Sequence, residues 1–246
     1  MNKVLITGAS SGVGKSIAFL LYKQGYELIL LSRRTSYVDE LFENKEFVHA
    51  YSVDLAKTTD LEKTMKVIVD THGYIGSAVF CAARLSKGEI GTFSKEEFDN
   101  DIALNFFSIT SIIDILLPLM KKNNFGRIVN LTSGAPLNCF PGYSRYSVTK
   151  AMLNTWTYTL AKELEENFNI RVNLMSPGPV RSEMAPNAVL EPVVCHPTLL
   201  YLLASPPVNR EFCLYWLVYK IPITPDLTSV NWLEGYASEA FKYDVV

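Results

Sequence analysis

The sequence predicts an α/β protein, a parallel sheet covered by helices on both faces. Two observations carry this expectation. Short β-branched or aliphatic runs alternate with longer segments of helical spacing along the 246 residues, the pattern of strands joined by crossover helices. A small-residue turn, Thr7-Gly8-Ala9-Ser10-Ser11-Gly12-Val13-Gly14, also stands where the first such run gives way to the first helical segment.

In chain order, strands are expected near residues 3–7, 27–31, 47–53 and 77–82, with helices near 12–24 and 58–71 between them. Long helices are expected over residues 101–122 and 147–167, separated by a strand at 127–131 and followed by one at 170–175. The βα steps are short, as right-handed crossovers require. No repeat or low-complexity linker interrupts the series, so one domain is expected over residues 1–246.

Composition narrows the function classes. With 48% hydrophobic residues, 20% charged residues and a formal net charge of −2, the chain suits a globular enzyme and offers no general attraction to nucleic acid. Cys81, Cys139, Cys195 and Cys213 show neither CxxC spacing nor a clustered histidine, so no metal site and no disulfide framework is expected, and reduced cytoplasmic thiols are. The amino terminus runs into the glycine turn without a signal-peptide core. The apolar stretches near residues 19–31 and 199–208 are broken too early to span a bilayer, so no membrane segment is expected.

The glycine turn is the first chemical motif. Between a strand and a helix, Gly8, Ser10, Ser11, Gly12, Val13 and Gly14 let the backbone approach a pyrophosphate while the helix start presents free N–H groups to it. A nucleoside-triphosphate loop ending in Gly14-Lys15-Ser16 fails on spacing: five residues, not four, separate Gly8 from Gly14, and Ala9 stands where glycine is needed.

The second motif concerns which dinucleotide. The strand Leu28-Ile29-Leu30-Leu31 leads to Ser32-Arg33-Arg34, where an acidic residue would bind the ribose of NAD. Guanidinium forks at Arg33 and Arg34 suit a 2′-phosphate instead, which points to NADP(H).

The third motif is Tyr146-Ser147-Val148-Thr149-Lys150, with Ser133 thirteen positions before Tyr146 and Asn105 twenty-eight before Ser133. One helical turn places Lys150 on the face of Tyr146, where an ammonium is expected to lower the phenol pKa from about 10.

Together these motifs resemble the short-chain dehydrogenase/reductase family across roughly the first three-quarters of the chain. The glycine loop, Asp54, Asn105, Ile128-Val129-Asn130-Leu131-Thr132-Ser133, Tyr146 with Lys150, and Pro177-Gly178 follow the family's order. The resemblance implies a doubly wound, three-layer Rossmann-type sheet with NADP(H) across its carboxyl edge. It implies that Tyr146 is the general acid or base, Ser133 holds the carbonyl oxygen, Lys150 tunes the tyrosine and binds ribose, and Asn105 holds a water that relays the proton. Cofactor contacts are implied for Ser10, Ser11 and Arg33 at the 2′-phosphate, Asp54 and Leu55 at adenine, and Pro177, Gly178, Val180 and Ser182 at the nicotinamide end. No metal enters the scheme.

Two departures stand out. Phe80-Cys81-Ala82-Ala83 replaces an Asn-Asn-Ala-Gly sequence, keeping only Ala82 of the expected contact. After Ala204 neither the usual late strand nor its glycine-rich close can be found, so residues 182–246 form an atypical lid or interface region. The aromatic run 212–219 is expected in core or interface rather than as a lid.

Pro136, Leu137, Phe140, Pro141 and Tyr143 give an apolar pocket lining suited to a ketone, aldehyde or secondary alcohol. An active reductase is expected, ahead of an idle NADP(H) sensor or partner-binding protein. Apolar residues on the two long helices, Ile112, Ile113, Leu116, Leu153, Trp156 and Leu160, suggest enough apolar surface for a homodimer or homotetramer.

Overall fold

The computed structural model describes residues 2–204 and 213–223, with the backbone of residues 230–231 and 236–237. The chain runs β1 (Lys3–Thr7), α1 (Gly12–Lys23), β2 (Glu27–Ser32), α2 (Tyr37–Leu41), β3 (Val48–Ser52), α3 (Thr58–His72) and β4 (Ser77–Phe80). It continues through α4 (Lys95–Ile102), a π-helical turn (Ala103–Phe107), α5 (Ser108–Lys122), β5 (Gly126–Leu131), α6 (Ala135–Asn138), α7 (Ser144–Glu165) and β6 (Ile170–Met175). A 3₁₀ turn (Pro192–Cys195), α8 (His196–Ala204), β7 (Cys213–Trp216) and β8 (Tyr219–Pro222) follow.

The strands form one sheet in the order β3-β2-β1-β4-β5-β6-β7-β8. Within this sheet every pairing is parallel except the β7–β8 hairpin. The chain builds outward from β1 to β3 and then returns to place β4 on the other side of β1. This reversal opens a crevice at the carboxyl ends of β1 and β4, where doubly wound sheets bind ligands.

The strands are apolar nearly throughout because both faces are covered. Alternate residues serve two cores: Val4, Ile6, Leu28 and Leu30 pack with α1 and α8. Leu5, Ile29 and Leu31 pack with α3, α5 and α7 on the opposite face. The helical run Lys95–Lys122 is long and apolar enough to cross a membrane by length and composition. Here Ile109, Ile112, Ile113, Leu116 and Met120 form a buried stripe against the sheet, as in a core helix.

Two expectations change. The late strand exists: Cys213–Trp216 adds to β6 in parallel, with Met175 opposite Tyr215. Only four residues long, it carries too little pattern to stand out among aromatic neighbours. Within the aromatic run Cys213, Leu214 and Tyr215 are buried in β7, whereas Val218 and Tyr219 are exposed at the hairpin turn and the start of β8; Phe212 lies outside the described residues. The second change concerns the apolar surface offered for pairing, because Ile112, Ile113, Leu116, Leu153 and Leu160 are buried under the sheet and Trp156 is partly buried.

Leu153 is fully buried, so Leu153→Ala should cost about 2–5 kcal/mol through lost burial and a residual cavity. Urea denaturation should give a loss that does not vary with protein concentration; a concentration-dependent loss would place Leu153 in an interface instead.

Candidate active site

The crevice is a cleft of about 1260 Å³. At the glycine loop its wall is close-packed backbone. Gly8 turns with φ +70°, and a Cβ on it would lie 2.8 Å from the Ala82 nitrogen. A Cβ on Gly14 would lie 2.3 Å from the Gly8 carbonyl oxygen. The loop can fold against the first turn of α1 and the end of β4 only without side chains at these positions. Ala82 is further tied to β1, its N–H donating to Thr7 Oγ1 at 3.2 Å.

At the ends of β2 and β3, Arg33 and Arg34 lie beside Asp54 and Leu55 on the cleft wall. Arg34 pairs with Glu183 at 2.8 Å, both side chains largely exposed, which makes the pair energetically weak. The Arg33 guanidinium makes no ion pair among the described residues.

Ser133, Tyr146 and Lys150 converge across the cleft from the other half of the sheet. Ser133 follows β5 and accepts from the Ala135 N–H at 3.1 Å. Tyr146 and Lys150 lie one turn apart on α7, 9% and 2% exposed. Lys150 Nζ donates to the Leu131 carbonyl at 2.8 Å and stands 5.8 Å from the Tyr146 ring centre.

The expected lowering of the tyrosine pKa is absent in this state. Burial pushes the Tyr146 phenol up to about 12, only partly offset by its hydrogen bond with Ser133. Burial also pushes Lys150 down to about 8, because desolvation opposes the charged form of each group. With its ammonium on the Leu131 carbonyl, Lys150 does not override the burial of the phenol.

Asn105 departs from expectation too. It does not line the cleft with the other three. Fully buried in the π-helical turn, it accepts from the Arg84 N–H at 2.8 Å and donates to the Arg84 carbonyl and Thr149 Oγ1, both at 3.0 Å. Its amide thus ties α7 to the loop after β4.

Pro177, Gly178, Val180 and Ser182 follow β6 and close the cleft. Gly178 has φ +75°, and a Cβ there would lie 2.4 Å from Trp216 Nε1. That indole N–H is buried without a hydrogen-bond partner among the described residues. Leu214, Trp216 and Ile221 all reach the cleft, and sequence reasoning did not assign them there. The aromatic run was the available signal. Of the expected apolar lining, Leu137, Phe140 and Tyr143 face the cleft, whereas Pro136 and Pro141 do not.

The sequence profile described as short chain dehydrogenase matches residues 2–192. The chain belongs to this family. An uncharacterized oxidoreductase of Staphylococcus epidermidis is 28% identical over 181 residues, 73% of this chain and 78% of that protein. A short-chain dehydrogenase of Streptomyces avermitilis superposes with a TM-score of 0.79 at 25% identity, covering 88% of this chain and 87% of the other. ElxO with NADP bound, at 22% identity and the same TM-score, covers 88% of this chain and 96% of its own. Its sheet ends in the antiparallel β7–β8 hairpin.

The lysine shift has a measurable sign. Unfolded Lys150 keeps its proton to its ordinary value of 10.5, whereas folded Lys150 releases it near 8. Between these values the unfolded state binds more protons, so this residue makes stability rise with pH. The stability of Lys150→Met relative to the parent should therefore be highest below pH 8 and fall toward pH 10.5, as urea denaturation across that range would reveal. A difference independent of pH would rule out a depressed lysine.

Proposed function

We propose that this protein binds NADP(H) and transfers a hydride between its nicotinamide and a ketone, aldehyde or secondary alcohol. The observation that carries the reading is the convergence of Ser133, Tyr146 and Lys150 on the same cleft as the side-chain-free glycine loop.

The residues fit the dinucleotide. Gly8, Gly12 and Gly14, with Ser10, Ser11 and Val13, would hold the pyrophosphate at the start of α1. Arg33, without an ion pair among the described residues, suits a 2′-phosphate; Arg34 can join it by exchanging its exposed Glu183 partner. The NADP in ElxO agrees with this choice. Asp54 and Leu55 would flank adenine, with Ala82 beneath the dinucleotide. Lys150 would meet the ribose hydroxyls, and Pro177, Gly178, Val180 and Ser182 the nicotinamide end. Trp216 Nε1 offers a further donor there.

When bound, the cofactor supplies or accepts the hydride. Tyr146 supplies or accepts the proton at the substrate oxygen, and Ser133 donates a hydrogen bond to that oxygen as negative charge develops. A phenol held near 12 is protonated at neutral pH, the form that can give a proton to a carbonyl oxygen. Asn105 acts here as a positioning residue, through Thr149 and the Arg84 backbone. Leu137, Phe140, Tyr143, Trp216 and Ile221 favour an apolar substrate of medium size.

We also infer a single catalytic domain that pairs as a homodimer. The exposed Phe107 and Val148, rather than the buried residues named from the sequence, supply its apolar contact.

Fluorescence titration should detect NADPH binding more tightly than NADH, with Arg33→Ala narrowing the difference. Tyr146→Phe should retain NADPH binding and lose at least about 100-fold in turnover against a panel of apolar ketones and aldehydes. Failure to bind either nucleotide would overturn the proposal, whereas binding without turnover on any carbonyl would favour a cofactor sensor.

A further inference from the structure

At the end of the sheet opposite the cleft, three side chains distant in sequence meet. Glu27 opens β2, His49 lies in β3, and His72 ends α3. The sequence shows no clustered histidine because 22 residues separate the two, and only the β3–α3 crossover brings them together. Glu27 Oε1 is 3.2 Å from His49 Nε2 and 3.6 Å from His72 Nδ1, and one donor atom from each residue lies within 4.8 Å of the others.

We propose that Glu27, His49 and His72 bind a divalent transition-metal ion, with Zn²⁺ the best-fitting class. Two imidazoles and a carboxylate are the donor set of a three-ligand zinc site that leaves a position for water. Bonds of about 2.0–2.1 Å to a tetrahedral ion put neighbouring ligand atoms about 3.4 Å apart, between the two distances seen here. The His72–Glu27 separation of 3.6 Å is long for an N–H···O hydrogen bond.

The surroundings suit a ligand. His72 Nε2 is 2.7 Å from the Tyr51 hydroxyl, leaving Nδ1 toward Glu27. A hydrogen bond on the far ring nitrogen orients metal-bound histidines. Lys3, donating to the His72 carbonyl, is a nearby cation that opposes metal binding, and the Glu27 charge offsets it.

The ion would staple β2, β3 and the end of α3, about 16 Å by strand rise from Ser32 at the other end of β2, which precedes Arg33. Its role is therefore stabilisation of the cofactor-binding half, separate from hydride transfer. The untagged, chelator-treated protein should take up about one Zn²⁺ per chain in calorimetry. Co²⁺ should produce visible absorption typical of four-coordinate cobalt, and Zn²⁺ should raise the melting temperature because it binds the folded state.

His49→Ala and Glu27→Gln should each abolish the cobalt band while NADPH binding persists. Tyr51→Phe should weaken affinity about tenfold, and His196→Gln should change nothing. Absence of metal binding in the parent, or unchanged binding in both His49→Ala and Glu27→Gln, would overturn the site. Because NADPH titration is read separately, failure here is distinguishable from failure of the proposed hydride chemistry.

Discussion

The geometry of the catalytic side of the cleft depends on how α7 is pinned to β5. Residues 146, 150, 154 and 157 recur at helical spacing and form one stripe along α7. Asn130 Nδ2 donates to Thr157 Oγ1 at 2.8 Å, Thr132 Oγ1 donates to Asn154 Oδ1 at 2.5 Å, and Lys150 Nζ donates to the Leu131 carbonyl at 2.8 Å. These contacts are buried, so breaking one would leave polar atoms away from water at a cost of about 1–3 kcal/mol. Helix rotation or sliding would break several together. The seam thereby fixes Tyr146 relative to Ser133 before any ligand enters.

A second buried anchor holds the preceding turn. Asp101 accepts from Arg84 Nε at 2.8 Å and Ser86 Oγ at 2.9 Å, while Arg145 Nε lies 3.4 Å from its other oxygen. Arg145, adjacent to Tyr146, also stacks over Phe93 at 4.1 Å. Its charge is therefore enclosed by a carboxylate and an aromatic face rather than left free in the protein interior. The π-helical turn of Asn105 joins this region to Thr149. Two neighbouring segments thus restrict the start of α7, and removal of either should loosen the catalytic face without touching its reacting atoms.

The parts legible in the sequence share a local signature. The first strands announce themselves by short apolar runs, and Gly8 and Gly14 by their position between a strand and a helix. Tyr146 and Lys150 need only helical periodicity to share a face. What was hidden depends on distant neighbours. β7 becomes a strand because β6 offers it an edge, and Asn105 is withdrawn from the cleft by Arg84 and Thr149. The Tyr146 pKa is set by burial, which spacing from Lys150 alone cannot express. The Glu27, His49 and His72 cluster likewise comes from three separate elements.

The family profile ends at residue 192, but the cleft does not. Leu214, Trp216 and Ile221 reach it from β7 and β8, and Gly178 leaves the space occupied by the Trp216 indole. The Pro177–Gly178 loop inside the matched region and the hairpin beyond it therefore fit as one packed unit. A substituent at Gly178 would displace Trp216, and a smaller residue at Trp216 would open the wall beside Gly178. On the proposed function, cofactor placement would rest mainly on the first half of the chain, and substrate shape jointly on the α6–α7 loop and this hairpin. On that reading a change in the hairpin would reshape the substrate wall while Ser133, Tyr146 and Lys150 keep their places, because the buried contacts that hold α7 to β5 do not involve β7 or β8.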